Sequence, residues 1–224
     1  MRWHASRLGE DALLLRFGVA IDEATNARVH ALAACIDARR PPWLRDLVPA
    51  YASLAVYVDA AAFPDGEDPL DSVEAWLGTL SPEAADPAPP QGMLHDIAVR
   101  YGGEHGPDLG AVAAHAGLDP RDVIALHTAP EYRVAMLGFA PGFPYLFGLD
   151  PRIAMPRLAT PRARVEAGSV GIGGAQAGIY PHAGPGGWRI IGRAEALLFD
   201  PARDPPSLLA PGDRVRFVPA GTLP

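Results

Sequence analysis

The strongest structural signal in this sequence lies in residues 138–193, which read GFAPGFPYLFGLDPRIAMPRLATPRARVEAGSVGIGGAQAGIYPHAGPGGWRIIGR. This stretch contains 12 of the 24 glycines and six of the 19 arginines. Glycine permits positive φ and close approach to the backbone, and proline fixes φ, so we expect stiff turns and short strands here instead of a flexible linker. Only Asp150 and Glu166 oppose the six arginines, which gives the stretch a formal charge of +4 within a chain of −7. A basic island in an acidic protein indicates an anionic ligand.

The composition of the whole chain is that of an ordinary globular protein. Its 224 residues are 49% hydrophobic and 20% charged, which is enough for one large or two small domains. No apolar run approaches the roughly 18 residues of a membrane span, and the first residues lack the apolar stretch of a secretion signal. We therefore expect a cytoplasmic protein without a membrane partner.

The charged residues exclude several classes of function. The chain has no lysine, so all 19 basic residues are arginine. This excludes a P-loop, which contains a lysine, and catalysis through a lysine Schiff base. The acidic net charge argues against nucleic acid as a partner, because that affinity needs a broad basic surface. The seven histidines show no spacing typical of metal ligands, and we predict no metal held by this chain alone.

Residues 1–80 alternate between strand-like and helix-like patterns. Period-two alternation at residues 13–17 predicts a strand, and Asp22 opens a helical pattern that the prolines after residue 40 stop. Residues 54–58 form a β-rich run, and apolar residues recur at helical spacing over residues 70–80. These patterns predict a small α+β domain with the element order βαβα.

Residues 81–92, SPEAADPAPPQG, have the composition of an exposed linker, with four prolines and no aromatic or large aliphatic residue. Residues 93–224 follow as a second domain, in which short β-prone runs separated by Gly/Pro turns outnumber helices and predict a mainly-β barrel. The predicted helices are Asp108–His115 and Asp119–His127, and the predicted strands are Ile97–Tyr101, Tyr132–Phe139, Trp188–Ile191, Ala196–Phe199 and Val215–Val218.

Several long motifs of the second domain occur in a fixed order. They are YGGEHGPDL at residues 101–109, HTAPEY at 127–132, GFAPGFPYL at 138–146, PRLATPRARVEAGSVGIGGAQAGIYP at 156–181 and PGGWRIIGR at 185–193. With these motifs the chain closely resembles the B subunit of bacterial 5-oxoprolinase, a family also called allophanate hydrolase subunit 1, carboxyltransferase subdomain 1 or sporulation kinase inhibitor. The resemblance implies an α+β N-terminal domain followed by a cyclophilin-like β-barrel.

The resemblance also implies an activity and partners. Members of this family pair with a 5-oxoprolinase C subunit of homologous fold and, together with an A subunit, open 5-oxo-L-proline to L-glutamate at the expense of ATP. We therefore expect ATP with Mg to bind at the assembled complex, and the isolated chain to be an inactive part of a lactam hydrolase. Two alternatives stay open: an inhibitor of a sensor histidine kinase, and a carboxyltransferase subunit of the urea carboxylase or allophanate hydrolase type.

Four arginines of the basic stretch are candidates for contacts with a substrate carboxylate or phosphate. A planar guanidinium donates two parallel hydrogen bonds and stays charged at every relevant pH, although solvated charges on a loop are the alternative. Residues 168–181 could present successive backbone N–H groups to an anion, with Ser169 and Gln176 as side-chain donors, and tight barrel turns are the alternative. The four arginines are Arg157, Arg162, Arg164 and Arg193.

Three further side chains are candidates for catalysis. Glu104 and His127 are the plausible proton-transfer groups, because a carboxylate and an imidazole are readily tuned toward neutral pH. His127 ends a predicted helix, where a cationic cap is the alternative. Tyr180, with Tyr145 and Trp188, could wall a pocket and supply a hydroxyl, although a place in the barrel core is the alternative.

Overall fold

The structure, a computed structural model, describes residues 3–80 and 92–221. The chain divides into two compact units, Met1–Pro90 and Gln91–Pro224. This division falls inside the stretch 81–92 that the sequence indicates as a linker, of which residues 81–91 lie outside the described residues.

The described residues of the first unit, 3–80, form a four-stranded antiparallel sheet with two helices. Its elements are β1 (His4–Arg7), β2 (Ala12–Arg16), α1 (Glu23–Arg39), β3 (Leu44–Pro49), β4 (Ser53–Val58) and α2 (Pro69–Thr79), with a short 3-10 turn at Ala60–Ala62. The strand order is β1-β2-β4-β3. Asp22 caps α1 by accepting a hydrogen bond from the Thr25 N–H at 2.7 Å, as its residue type favours. The apolar faces of helix and sheet meet in one core that includes Leu15, Leu32 and Val56.

The strands β2 and β4 and both helices of this unit confirm the sequence prediction, but β1 and β3 were missed. Both missed strands lie at the edges of the sheet. Their residues are intermediate or exposed, without a buried position. An edge strand with little burial shows no apolar alternation, so periodicity alone does not reveal it. The order is therefore ββαββα and not βαβα.

The second unit is built around a closed barrel of seven strands in the order β10-β7-β6-β13-β5-β12-β9. Strands β5 and β13 pair in parallel and the other barrel neighbours pair antiparallel. The remaining two strands, β8 and β11, form a separate ribbon. The elements are β5 (Leu94–Tyr101), α3 (Leu109–Ala116), α4 (Pro120–Thr128), β6 (Tyr132–Leu137), β7 (Pro144–Phe147), β8 (Arg162–Val165), β9 (Ser169–Gly173), β10 (Gln176–Ile179), β11 (Gly184–Gly186), β12 (Arg189–Ala194) and β13 (Arg214–Pro219).

The predicted class, an α+β domain followed by a barrel domain, is confirmed, and both predicted helices of the second unit are present. The prediction of a strand at Ala196–Phe199 is wrong, because this segment contains no strand and only Phe199 forms an isolated bridge, with Ser207. Strand β12 is already paired on one side with β5 and on the other with β9, so the closed barrel has no free edge for this segment.

The prediction that residues 168–181 form an anion-binding nest is also wrong. These residues form the hairpin of β9 and β10 in the barrel wall, and β9 pairs with β10 on one side and β12 on the other. Backbone N–H groups that take part in these ladders are not free to converge on an anion. Within residues 3–80 and 92–221, no helix is both long enough and apolar enough to cross a membrane.

Candidate functional site

Glycines on the outer face of the barrel make room for large aromatic rings. Val170 and Ile172 of β9 point into the core, so Ser169, Gly171 and Gly173 lie on the opposite face. A Cβ atom on Gly173 would lie 2.5 Å from Cε2 of Trp188, which is closer than atoms can approach. Gly171 and Gly173 therefore let the Trp188 ring lie against strand β9 itself.

The rings gathered there form a pocket of about 150 Å³, called the aromatic pocket below. Trp188 meets Phe143 edge-to-face at a centroid distance of 5.4 Å and Tyr145 at 5.8 Å, a geometry that aromatic pairs favour. The guanidinium carbon of Arg157 stands 5.3 Å from the Trp188 ring centroid, within the range of a cation–π contact. The lining residues are Phe139, Phe143, Tyr145, Arg157, Leu158, Pro161, Tyr180, Gly186, Gly187 and Trp188.

Phe139 lies at this pocket in a strained backbone conformation. Its φ is +66°, a left-handed conformation that is rare for a bulky residue. Its side chain stays 66% exposed while the ring contacts that of Phe143 at a centroid distance of 5.4 Å. Strained residues of this kind persist only where the surrounding structure holds them in place, and they cluster at ligand and active sites.

The two tyrosines of the aromatic pocket are protonated hydroxyls at neutral pH. Burial raises the pKa of Tyr145, with Arg157 opposing the shift. Burial also raises the pKa of Tyr180, against a hydrogen bond from the Trp188 backbone and the charge of Arg157. Tyr180 can thus donate a hydrogen bond at neutral pH but is poorly suited to act as a base.

A second cavity, of about 220 Å³, brings five of the candidate residues together and is called the arginine cavity below. Arg162 and Arg164 come from the ribbon strand β8, Arg193 comes from β12, Ser169 from β9, and Glu104 from the loop after β5. The full lining is Glu104, His105, Pro107, Arg162, Arg164, Val165, Glu166, Ser169, Ile190 and Arg193. A third cavity, of about 310 Å³, shares His105 and Arg193 with it.

Arg162 is tied to the barrel by a buried carboxylate. Its two terminal nitrogens donate to the two oxygens of Asp108, each at 2.8 Å, and these hydrogen bonds raise the pKa of the guanidinium. Asp108 is only 7% exposed and also accepts a hydrogen bond from the Ile190 backbone at 2.7 Å. Arg162 therefore connects the ribbon to the barrel through this ion pair, and its charge is already neutralised by Asp108.

The other arginines of this cavity differ in whether a carboxylate of the chain pairs with their charge. Arg164 pairs with Glu166 at 2.7 Å on an exposed surface. The Nε of Arg193 donates to the Ala167 carbonyl at 3.1 Å. The hydrogen bond from Arg164 lowers the pKa of Glu166 and the charge of Arg193 contributes to this shift, but among the described residues no carboxylate forms an ion pair with Arg193. Glu104 is nearly fully solvated, with its side chain 88% exposed. Arg193 is thus the cation best placed to receive an anion here.

His127 is not part of either cavity, and its predicted roles in proton transfer or as a cationic helix cap are wrong. The side chain is fully buried, with Nδ1 2.8 Å from the Tyr101 hydroxyl and the ring 4.5 Å from that of Phe217. Burial lowers the pKa of His127 to about 3. The imidazole is therefore neutral at physiological pH and closed off from substrate.

Gln176 also lies outside the residues that line the aromatic pocket and the arginine cavity. It begins β10, directly opposite Gly173 in the hairpin, and its predicted role as an anion donor has no support from this position. In the part of the chain that the structure describes, no group of three or more His, Cys, Asp or Glu side chains is placed to hold a metal ion.

Sequence reasoning missed two residues that shape the site. Asp108 was interpreted only as the start of a helix, although its carboxylate fixes Arg162 across 54 positions of sequence. Phe139 was placed at the end of a strand, whereas it lies beyond β6 in a strained turn. The dense GFAPGFP run was the available signal, because a bulky residue between close glycines and prolines is under unusual backbone constraint.

Comparison with known protein families gives one match that covers most of the chain. A family model described as carboxyltransferase domain, subdomain C and D, matches residues 3–209. The chain is 44% identical to the 5-oxoprolinase B subunit of Bacillus subtilis (strain 168) over 223 residues, 97% of this chain and 93% of that protein. It is 42% identical to the 5-oxoprolinase B subunit of Escherichia coli O157:H7 over 216 residues, 95% of this chain and 94% of that protein. The resemblance inferred from the sequence motifs is confirmed.

Solved structures share the fold. The chain matches TTHA0988 with a TM-score of 0.80 and 40% identity over 95% of its own length, and spans only 40% of that longer chain. It matches the conserved uncharacterized protein PH0987 from Pyrococcus horikoshii with a TM-score of 0.56 and 47% identity, over 97% of both chains. The urea amidolyase of K. lactis matches with a TM-score of 0.76 at 20% identity, over 97% of this chain and 15% of that one, which is a likeness of fold alone.

Proposed function

We propose that this chain, which belongs to the family described as carboxyltransferase domain, subdomain C and D, acts as the B subunit of a cytoplasmic 5-oxoprolinase that hydrolyses 5-oxo-L-proline to L-glutamate. Two relatives named as the B subunit of 5-oxoprolinase, 44% and 42% identical over more than nine-tenths of both chains, support this proposal. The arginine cavity on the barrel, with Arg193 in its lining, supports it independently of the names.

The observation that carries the proposal is the position of Arg193 in the arginine cavity. Its guanidinium faces a cavity of about 220 Å³ beside Arg164, and within the described residues it has no carboxylate partner. Both 5-oxoproline and a transferred phosphoryl group are anions. A planar guanidinium that is not already neutralised is the protein group best matched to their oxygen atoms.

The chemistry explains why such a cation is needed. A five-membered lactam is a stabilised amide, and transfer of a phosphoryl group to its carbonyl oxygen turns that oxygen into a leaving group. Water then attacks the ring carbon and the C–N bond breaks, which opens the ring to an acyl phosphate. A second water molecule hydrolyses the acyl phosphate, so that the lactam, ATP and two water molecules give glutamate, ADP, phosphate and a proton. In this proposal Arg193 binds anionic oxygen atoms, and Glu104 accepts a proton from the attacking water.

The described residues fit a small anion better than a whole nucleotide. The three cavities hold about 150, 220 and 310 Å³, so two lie below and one lies at the lower end of the ~300–1,000 Å³ range of ligand pockets. The chain has no lysine for phosphate contacts, and the described residues offer no cluster for a metal ion. We therefore assign ATP and its Mg to the complex formed with the C and A subunits, and expect the isolated chain to be inactive.

Reconstitution tests the proposed function. The chain is co-purified with the C and A subunits, and ATP-dependent release of glutamate from 5-oxoproline is measured for the complex, for each of the three proteins alone and for the complex without ATP. We expect glutamate only from the complete complex with ATP. A correctly assembled complex that releases none would reject the proposal, and hydrolysis by this chain alone would reject the assignment of ATP to the complex.

A further inference from the structure

We propose that the aromatic pocket receives the ring of the substrate, a small cyclic amide that carries a carboxylate, and that Arg157 binds this carboxylate. The inference rests on the proposed function and goes one step further, because it separates the site of the ring from the arginine cavity. The two cavities adjoin: Arg162 lines one, Trp188 lines the other, and a terminal nitrogen of Arg162 lies 3.5 Å from the Trp188 carbonyl oxygen.

The shape of the aromatic pocket suits a flat ring of this size. Its volume is about 150 Å³, and the rings of Phe139, Tyr145 and Trp188 contribute to its walls. The floor is rigid, because Trp188 and Phe143 are almost fully buried and Gly173 lets the indole lie against the barrel. An amide ring is planar near its C–N bond and apolar on its methylene side, and aromatic side chains contact such surfaces favourably.

Arg157 gives the pocket its selectivity for an acid. Its side chain is exposed, its guanidinium stands 5.3 Å from the Trp188 ring centroid, and among the described residues it has no carboxylate partner. Arg162 and Arg164, in contrast, are each paired with a carboxylate of the chain. A guanidinium supported on an aromatic face keeps its hydrogen-bond donors for a ligand.

A nucleobase is the other flat ring that an ATP-dependent enzyme must bind, and the pocket suits it less well. A nucleobase carries no negative charge to pair with Arg157, and a sugar and phosphates attached to it need more than about 150 Å³. The ring hydroxyl of Tyr180 is buried, stays protonated and accepts a hydrogen bond from the Trp188 backbone. It keeps its own hydrogen for an acceptor such as a lactam oxygen.

The test compares three variants in the complex assembled with the C and A subunits. Arg157→Gln removes the charge. Gly187→Ala adds a methyl group whose nearest neighbours, Pro161 and Leu158, line the pocket and lie at ordinary contact distances of 3.6–3.8 Å. We therefore expect this variant to fold and to reduce the pocket volume. Arg152→Gln is the matched control, because Arg152 is an exposed arginine of the same unit that pairs with Asp150. Direct binding of 5-oxoproline and of 2-pyrrolidinone, the same ring without the carboxylate, is measured by calorimetry, together with KM and kcat for 5-oxoproline.

We expect Arg157→Gln to weaken 5-oxoproline binding and raise its KM by roughly tenfold to a hundredfold, with kcat changed far less and 2-pyrrolidinone binding unchanged. Gly187→Ala should weaken both ligands, and Arg152→Gln neither. Wild-type affinity for 5-oxoproline in either Arg157→Gln or Gly187→Ala would overturn the inference. If the complex hydrolyses 5-oxoproline and both variants behave as the wild type, the proposed function holds and this inference is rejected. If the complex binds 5-oxoproline through Arg157 but does not hydrolyse it, this inference holds and the proposed function is rejected.

Discussion

Replacing Arg162 with alanine should destabilise the barrel unit, because it leaves the Asp108 carboxylate buried without its cation. Asp108 is 7% exposed and would lose two hydrogen bonds of 2.8 Å, keeping the side-chain bond from the Ile190 N–H. Breaking a fully buried pair costs about 3–5 kcal/mol, but the Arg162 side chain is 33% exposed, so water can replace part of what is lost. We expect a loss of about 2–3 kcal/mol, or a fall in Tm of roughly 5–10 °C.

Chemical denaturation and thermal melting followed by circular dichroism measure this loss. Arg164→Ala is the matched control, since Arg164 comes from the same strand but forms an exposed pair with Glu166, and we expect no resolvable change in Tm. Adding Asp108→Asn to Arg162→Ala should recover part of the stability, because the buried group then carries no charge. An Arg162→Ala protein as stable as the wild type would refute the view that this pair ties the ribbon to the barrel.

Three further predictions concern stability. Lowering the pH from 7 to 5 should destabilise the chain by ~2 kcal/mol through His127, because the pKa of this side chain is about 3 in the folded state and ~6.5 in the unfolded state. This contribution to stability is complete above pH ~6.5 and is lost as the pH falls toward about 3. Chemical denaturation of His127→Phe over the same pH range should lack this contribution. Gly173→Ala should lower Tm and shift the fluorescence of Trp188, because the added Cβ lies 2.5 Å from the indole, whereas Gly110→Ala, with open space around it in α3, should leave Tm unchanged or raise it. Asp213→Ala should cost about 2–3 kcal/mol in denaturation experiments, because its buried carboxylate accepts two backbone N–H bonds, and wild-type stability would show that these bonds are dispensable.

Elements with a local signal were predictable from the sequence. Helix α4 begins at Pro120 after Asp119, as proline and an acidic residue at a helix start indicate, although Asp119 makes no side-chain capping bond. The paired strand β4 has four buried residues and a clear β-prone pattern. The edge strands β1 and β3 have no buried residue and no such pattern. The glycine-rich strands β9 and β10 resembled turns, because glycine is more common in turns than in strands.

The site was only half predictable, for reasons of long-range structure. The density of arginine indicated this region, and Arg162, Arg164 and Arg193 all line one cavity. The state of each charge depends on partners that no local pattern reveals, as with Asp108, which lies 54 residues from Arg162. His127 was misjudged for the same reason, because its residue type suggests proton transfer while the packing of β5, α4 and β13 encloses it.

The most direct measurement is the rate of ATP-dependent glutamate formation from 5-oxoproline by the complex assembled with the C and A subunits, with this chain either wild type or Arg193→Gln. Both versions should assemble and melt alike, because Arg193 makes a single side-chain hydrogen bond to a carbonyl group within the described residues. We expect turnover by the wild type and a loss of roughly tenfold or more for Arg193→Gln. Equal rates for the two complexes, or no glutamate from either, would contradict it.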